Sequence, residues 1–258
     1  MGIINATHDS FYKGDLDEGP DGILKLATKM LNDGAAILDI GGQSTKPGSE
    51  SVGVEIELQR VIPVIEMIHK FFPEAVISVD TFQSEVASKA VAAGASMVND
   101  VSGGELDNKM IATVGMLQVP YICMHMKGTP ENMNKHTQYE DILKEMLDYF
   151  IAKVHLCRGA GIKDVIIDPG FGFAKNALQN FYLLKHLSVF KMLDCPILAG
   201  LSRKSTIYKT LNVTAADALN GTTVLNTLAL NNGASILRVH DVKEAIEAIT
   251  LYGEYNIA

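Results

Sequence analysis

Positive charge is scarce in this sequence: 22 Lys and Arg stand against 30 Asp and Glu, a formal net charge of −8 over 258 residues. A general nucleic-acid binder, or a peripheral protein held on anionic lipid, carries the opposite balance, so neither nucleic acid nor membrane is expected as a partner. An anionic ligand would need positive groups gathered at one place. The three cysteines, Cys123, Cys157 and Cys195, are far apart and form no CxxC pair. That excludes a zinc ribbon or redox dithiol and leaves small buried core residues as their expected role. No uninterrupted apolar run reaches the length of a membrane span, and MGIINATHDS is not a signal peptide, so a cytoplasmic address is expected. The chain opens directly in an apolar run, GIIN, and a lead-in segment is expected ahead of it. GxxxxGK[ST], HExxH, GxSxG and a complete GxGxxG are all missing. So are the Gly/Ser linkers and low-complexity tracts that would divide the chain.

What the sequence does contain is a regular alternation. Short apolar runs, rich in β-branched residues, are expected as strands at Gly2–Asn5, Ala36–Ile40, Val76–Asp80, Met97–Asp100, Pro120–His125, Val165–Asp168, Ile197–Leu201 and Ser235–His240. They are nearly continuously apolar, the pattern of parallel strands covered on both faces. Helical spacing fills the intervals. Ile56, Leu58, Val61, Ile62, Ile65 and Ile68 form one stripe, with Pro63 expected to open or kink its last turns. Val86, Ala90 and Val91 form another, stopped by Gly94. Thr214 with Asp217 reads as a helix start ahead of Val224–Leu230. Eight strand–helix units of about 30 residues need about 240, which predicts one (β/α)8 TIM barrel, class α/β, spanning 1–258 as one catalytic domain. A doubly wound open sheet is the competing architecture.

Chemistry in such a barrel belongs at the C-terminal strand ends. Those ends carry Asn5, Asp39, Asp80, Asn99 with Asp100, His125, Asp168, Ser202-Arg203-Lys204, and Arg238 with His240. One Asp after a strand is commonly a cap or turn residue, but a polar group at all eight ends points to a site. Asp39 and Asp80 close strongly apolar runs, where an unpaired carboxylate is costly. Asp80, Asn99 and Asp168 suit a flat heterocycle with amino and ring N–H groups, because a carboxylate meets an aminopyrimidine edge through two parallel bonds. Lys204, Arg238 and His240 favour an anion. Together they read as a site for a polar heterocycle carrying phosphate.

MGIINATHDSF, DIGGQSTKPG, ISVDT, VNDVSGG, CMHMKGTPENM, IDPGFGFAK, AGLSRKS and LRVHDV occur in that order along essentially the whole chain. This set resembles the dihydropteroate synthases. The resemblance implies condensation of 6-hydroxymethyl-7,8-dihydropterin pyrophosphate with p-aminobenzoate, with SN1 character and without a covalent enzyme nucleophile. It places the pterin on Asp80, Asn99, Met124, Asp168, Phe173, Gly200 and Lys204, and pyrophosphate on Asn5, Arg238 and His240. It places Mg2+ near Asn5 and Asp9. The p-aminobenzoate would meet Thr45, Lys46, Pro47, Lys204 and Ser205, with Asp9 and Phe11 on a closing loop. Asp80, Lys204, Arg238 and His240 are the catalytic candidates. Positive charge is expected to gather in Lys46, Arg203, Lys204, Arg238 and His240. A homodimer and sensitivity to sulfonamides are further implications. Three positions depart from the family pattern: His8 stands where Pro is common, Lys46 where Arg is, and Gln43 where Glu is. Other readings are a pterin-dependent methyltransferase domain, which would need a corrinoid partner, a non-catalytic pterin-binding barrel, and an aldolase-type barrel with Lys204 as Schiff-base amine.

Overall fold

Strands apolar on both faces can be satisfied only when helices cover the outside and other strands the inside, and the chain folds that way. The computed structural model describes residues 1–6, 20–43 and 52–258. Strands β1 (Gly2–Asn5), β2 (Ile37–Gly41), β3 (Val76–Asp80), β4 (Met97–Asp100), β5 (Tyr121–Met124) and β6 (Val165–Asp168) form one parallel sheet in chain order. Two shorter strands, β7 (Leu198–Ala199) and β8 (Ile236–Leu237), pair with each other. The circle is completed by the parallel bridges Ile167–Ile197 and Gly2–Val239. Backbone bonds from Ile167 to the Pro196 carbonyl and from Ile3 to that of Val239, both 3.0 Å, hold these seams. The open-sheet alternative is thereby excluded.

Nine α-helices lie among the described residues: α1 (Pro20–Asn32), α2 (Val54–Phe71), α3 (Ser84–Ala92), α4 (Met110–Leu117), α5 (Ile142–Gly159), α6 (Ala177–Lys185), α7 (Ser205–Leu211), α8 (Leu219–Asn231) and α9 (Val242–Ile257). One more helix is present than eight units require, because α7 and α8 both stand between β7 and β8. Helix α2 continues through Pro63 without a break. Its buried face is Glu57, Val61, Val64, Ile65 and Ile68, while Ile56 is exposed. Val61, Ile65 and Ile68 of the expected stripe are buried and Leu58 and Ile62 partly so; only at its start does Glu57 take the place of Ile56, for a reason that lies in the site. Thr214 does bond Asp217 at 2.6 Å, but this closes a turn five residues before α8 begins. Cys123 and Cys157 are buried and Cys195 partly so.

The side-chain parity of the strands sets up the functional end. Met97, Ile122, Ile166 and Leu198 pack together inside the barrel, with Met1, Ile37 and Ile236 against them. Two residues further along, the same inward face presents Asp39, Asn99, Met124, Asp168, Gly200 and Arg238. An apolar plug thus becomes the floor for a polar layer. Among the described residues no helix is long and apolar enough to cross a membrane.

Candidate active site

The polar layer is wired around one guanidinium. Arg238 donates from Nε to Asp39 Oδ2 at 2.6 Å and from Nη2 to Asp80 Oδ2 at 2.7 Å. Asp39 is fully buried and also accepts from Asn99 Nδ2 at 3.1 Å, leaving its Oδ1 without a partner. The cost of a carboxylate at the end of an apolar strand is met by a charge-assisted bond from across the barrel. Arg238 is half-buried, and two of its five N–H donors are committed to carboxylates. It is therefore not an isolated anion hook, as its place in the motif implied. It neutralises the two aspartates first, which leaves three of its donors over.

Burial pushes the Asp80 carboxyl up to about 7, and Asp39, Glu57 and Asp100 add to the rise against the pull of Arg238. Asp168 is raised as well, by burial, opposed by Lys204 and by the Gly170 N–H that bonds its Oδ1 at 2.7 Å. Asp80 and Asp168 each keep an oxygen to which no described residue donates. These are the groups that can meet an amino-heterocycle edge.

Lys204 caps α7 from the end of the β7 segment, where the backbone turns through a left-handed Arg203. Its Nζ bonds the Phe171 carbonyl and lies 4.6 Å from the centre of the Phe173 ring. Burial lowers its ammonium to about 8, against the pull of Asp168. A Cβ at Gly172 would sit 3.2 Å from Lys204 Cδ, so the loop and the lysine are in close contact. Gly200, beneath, would carry a Cβ only 3.9 Å from Lys204 Nζ. Met124 is buried with Val101, Met126, Met133 and Ala174, and Phe173 packs on that cluster. Met124, Asp168, Phe173, Gly200 and Lys204 thus lie together, and Asp80 and Asn99 stand side by side on β3 and β4, joined through Arg238 and Asp39.

The anion side is more open. Asn5 and His240 are exposed at the mouth. Ser202 Oγ and His240 Nδ1 lie 2.9 Å apart, and the His240 N–H also reaches Ser202 Oγ, which aims the ring. Ser205 begins α7, one residue beyond Lys204. Arg203 is a correction. Its guanidinium forms a two-bond pair with Asp241, at 2.8 and 2.9 Å, and donates to the Ala215 and Ala216 carbonyls. It braces the α7–α8 connection and adds no free charge to the mouth. Asp9, Phe11, Thr45, Lys46 and Pro47, and also His8, lie outside the described residues.

Two residues of the site, Glu57 and Lys175, carry no signal in the strand-end pattern, and Asp39, one of the strand-end carboxylates, has a partner that the sequence does not supply. Glu57 replaces Ile56 on the buried face of α2 because its Oε2 accepts from Gln83 Nε2 at 2.6 Å, tying α2 to the loop after β3. Burial raises its carboxyl, and its Oε1 is buried without a partner, as is Oε1 of Gln43. Lys175 is buried below the GFGF loop. A lysine seven residues beyond a buried strand-end Asp, in a glycine-rich loop, was the available signal.

Comparison with known proteins agrees with this arrangement. The family model described as "Pterin binding enzyme" matches residues 1–240. The dihydropteroate synthase of Escherichia coli K12 is 42% identical over 257 residues, covering 96% of this chain and 88% of that protein. The structure of the Yersinia pestis dihydropteroate synthase with a sulfonamide drug complex superposes with a TM-score of 0.94 at 37% identity, covering 100% of this chain and 94% of the other. The Xanthomonas albilineans dihydropteroate synthase with 4-aminobenzoic acid gives 0.92 at 38% identity, covering 100% and 93%. A polar layer on an apolar plug, met by this similarity along the whole barrel, places the chain in the dihydropteroate synthase family of pterin-binding enzymes.

Proposed function

We propose that this chain joins 6-hydroxymethyl-7,8-dihydropterin pyrophosphate to p-aminobenzoate, giving 7,8-dihydropteroate and pyrophosphate for folate synthesis. The observation that carries the reading is the Arg238–Asp39–Asp80 network, with Asn99, Asp168 and Lys204 beside it, on the floor of the barrel mouth. Asp168 and Asn99 would hold the aminopyrimidine edge, and the Phe173–Met124 wall would cover the ring face. Asp80, in its ionised form, would face the carbon from which pyrophosphate leaves.

The bond that breaks joins the exocyclic methylene carbon to the bridging oxygen, and both electrons leave with pyrophosphate. The remaining donors of Arg238 and the exposed His240 would meet that charge, a preorganised electrostatic role. The remaining cation is spread over the pterin and steadied by Asp80. The arylamine nitrogen then adds to the carbon and loses a proton, with no covalent bond to the enzyme. Mg2+ is held by few protein oxygens and mostly by substrate phosphates, so a lone exposed amide such as that of Asn5, with Asp9, fits its donor chemistry. Bound there, it would supply further charge neutralisation on the leaving group.

We place the p-aminobenzoate against Lys204, Ser205 and the segments carrying Phe11 and Thr45–Pro47. The Yersinia relative was solved with a sulfonamide drug and the Xanthomonas relative with 4-aminobenzoic acid. A sulfonamide should accordingly slow turnover, and added p-aminobenzoate should restore it. Indifference of the rate to the drug at subsaturating p-aminobenzoate would contradict this placement. Binding of methyltetrahydrofolate, with p-aminobenzoate ignored, would favour the methyltransferase reading instead. A homodimer belongs to the same proposal, supported by exposed Leu178, Tyr182, Leu211, Val224 and Leu228 on α6, α7 and α8.

A further inference from the structure

A buried ammonium sits under the pterin wall and is used by none of the chemistry above. Lys175 Nζ lies 2.9 Å from the Phe173 carbonyl, 3.1 Å from that of Gly170, 3.4 Å from that of His125 and 3.1 Å from His125 Nδ1. These acceptors come from two places, the end of β5 and the loop after β6. The loop is wound to bring them together. Gly170, Gly172 and Ala174 all adopt left-handed backbone, at φ 68°, 79° and 51°, and for Ala174 that conformation is strained. A Cβ at Gly170 would lie 2.2 Å from the His125 carbonyl, so the two segments touch where the ammonium joins them. Asn180 fixes the far side, accepting from the Gly172 N–H at 2.7 Å.

The same short loop supplies the site from its other side. The Gly170 N–H holds Asp168, the Phe171 carbonyl holds Lys204, and the Phe173 ring lies under the Lys204 ammonium. Carbonyls 170 and 173 therefore point down to Lys175, while carbonyl 171 points to Lys204. We propose that Lys175 is a positioning residue: by gathering the carbonyls of Gly170 and Phe173 and the His125 imidazole, it fixes the loop that sets Asp168, Lys204 and Phe173 for the pterin. The inference rests on the pterin-binding reading above. Its chemistry is consistent with the surroundings. Burial and the neighbouring Lys175 and Lys127 hold His125 well below its usual value, so the ring is neutral and Nδ1 can accept. Burial lowers Lys175 itself to about 7; Asp168 opposes this, and Lys204 and Lys127 add to it.

The test compares the full-length protein with Lys175→Met, which keeps the stem and removes the donors. Fold is checked by circular dichroism and thermal unfolding. The readouts are the calorimetric affinity for 6-hydroxymethylpterin and the KM of each substrate. Losing one buried partner set should weaken pterin affinity by about tenfold or more. The KM of the dihydropterin substrate should rise in step, and by clearly more than that of p-aminobenzoate, which meets the loop only through Lys204. A role confined to general stability would not split the two KM values. If Lys175→Met does not fold, Lys175→Gln, which retains two donors, is read by the same split, with a smaller loss expected. Folded variant with unchanged pterin affinity, or with both KM values raised equally, overturns the proposal. Failure of the unaltered protein to bind pterin would remove the reading beneath it, and this inference with it.

Discussion

Asp39 and Asp80, on neighbouring strands and at different depths, share the single guanidinium of Arg238. The register pairs Asp80 with Gly41, so Asp39 lies two residues deeper and is fully buried, whereas Asp80 faces the mouth. One cation therefore spans the floor and the working surface of the site. The deep aspartate anchors it, and the shallow one is left at the mouth, where the proposed pterin would meet it.

Removing the anchor should be costly in stability as well as activity. Asp39→Ala leaves half-buried Arg238 with one partner and takes the acceptor from Asn99. Losing one of two carboxylate partners together with the acceptor of Asn99 should destabilise by about 1–3 kcal/mol. Urea unfolding of the variant should show a loss of that size, and a loss below about 1 kcal/mol would contradict the anchoring role.

Asp80 gives a pH signature. Its unfolded value is near 3.8, and burial pushes it up to about 7 in the fold. Below about pH 4 it is protonated in both states; between about 4 and 7 only the folded state keeps the proton, so stability falls as pH rises and the loss is complete above about 7. Glu57, Asp100 and Asp168, also raised, contribute in the same direction. Asp80→Asn removes one contribution, so its stability should decline less between pH 5 and 8 than that of the unaltered protein. The same variant should lose turnover by orders of magnitude, since it cannot supply a negative charge to the pterin cation. Chemical denaturation across pH, with parallel rates, measures both.

Lys204 is held between the Phe171 carbonyl and the Phe173 ring, at the junction of the two proposed substrate positions. Lys204→Ala should reduce kcat/KM by about a hundredfold or more with the fold retained. Near-normal rates would remove it from the site.

Gly170 tests the loop's backbone. With φ at +68° and a would-be Cβ 2.2 Å from the His125 carbonyl, Gly170→Ala must move either β5 or the loop. A destabilisation of about 3 kcal/mol or more is expected from strain and overlap together. Gly253, inside α9 with a Cβ that would meet nothing, provides the control: Gly253→Ala should be neutral or slightly stabilising by thermal unfolding.

The strand ends were readable because a buried strand rarely ends in a carboxylate without a reason. Asp80, Asn99, Asp168, Lys204 and Arg238 could be named from that rule and from the motif order. What could not be read was partnership across the barrel. Arg238 lies 199 residues from Asp39, and nothing local in either segment shows that the two bond. Arg203 failed for the same reason: its neighbour Lys204 enters the site, but a left-handed backbone turns Arg203 toward Asp241. Apolar spacing favours Ile56 over Glu57 on α2, and only the Gln83 contact explains a buried glutamate there. Lys175 stood inside a recognised motif, yet its role depends on carbonyl directions that left-handed residues create. Strand runs survived best, since continuous apolarity is itself the cause of burial, although β7 and β8 proved shorter than their runs.

The most direct measurement incubates the purified chain with 6-hydroxymethyl-7,8-dihydropterin pyrophosphate, Mg2+ and labelled p-aminobenzoate, and follows both products. Labelled 7,8-dihydropteroate should appear in step with pyrophosphate, one for one, and Asp80→Asn should abolish both. Folded protein that forms no labelled dihydropteroate above background, or that releases pyrophosphate without consuming p-aminobenzoate, would contradict the account.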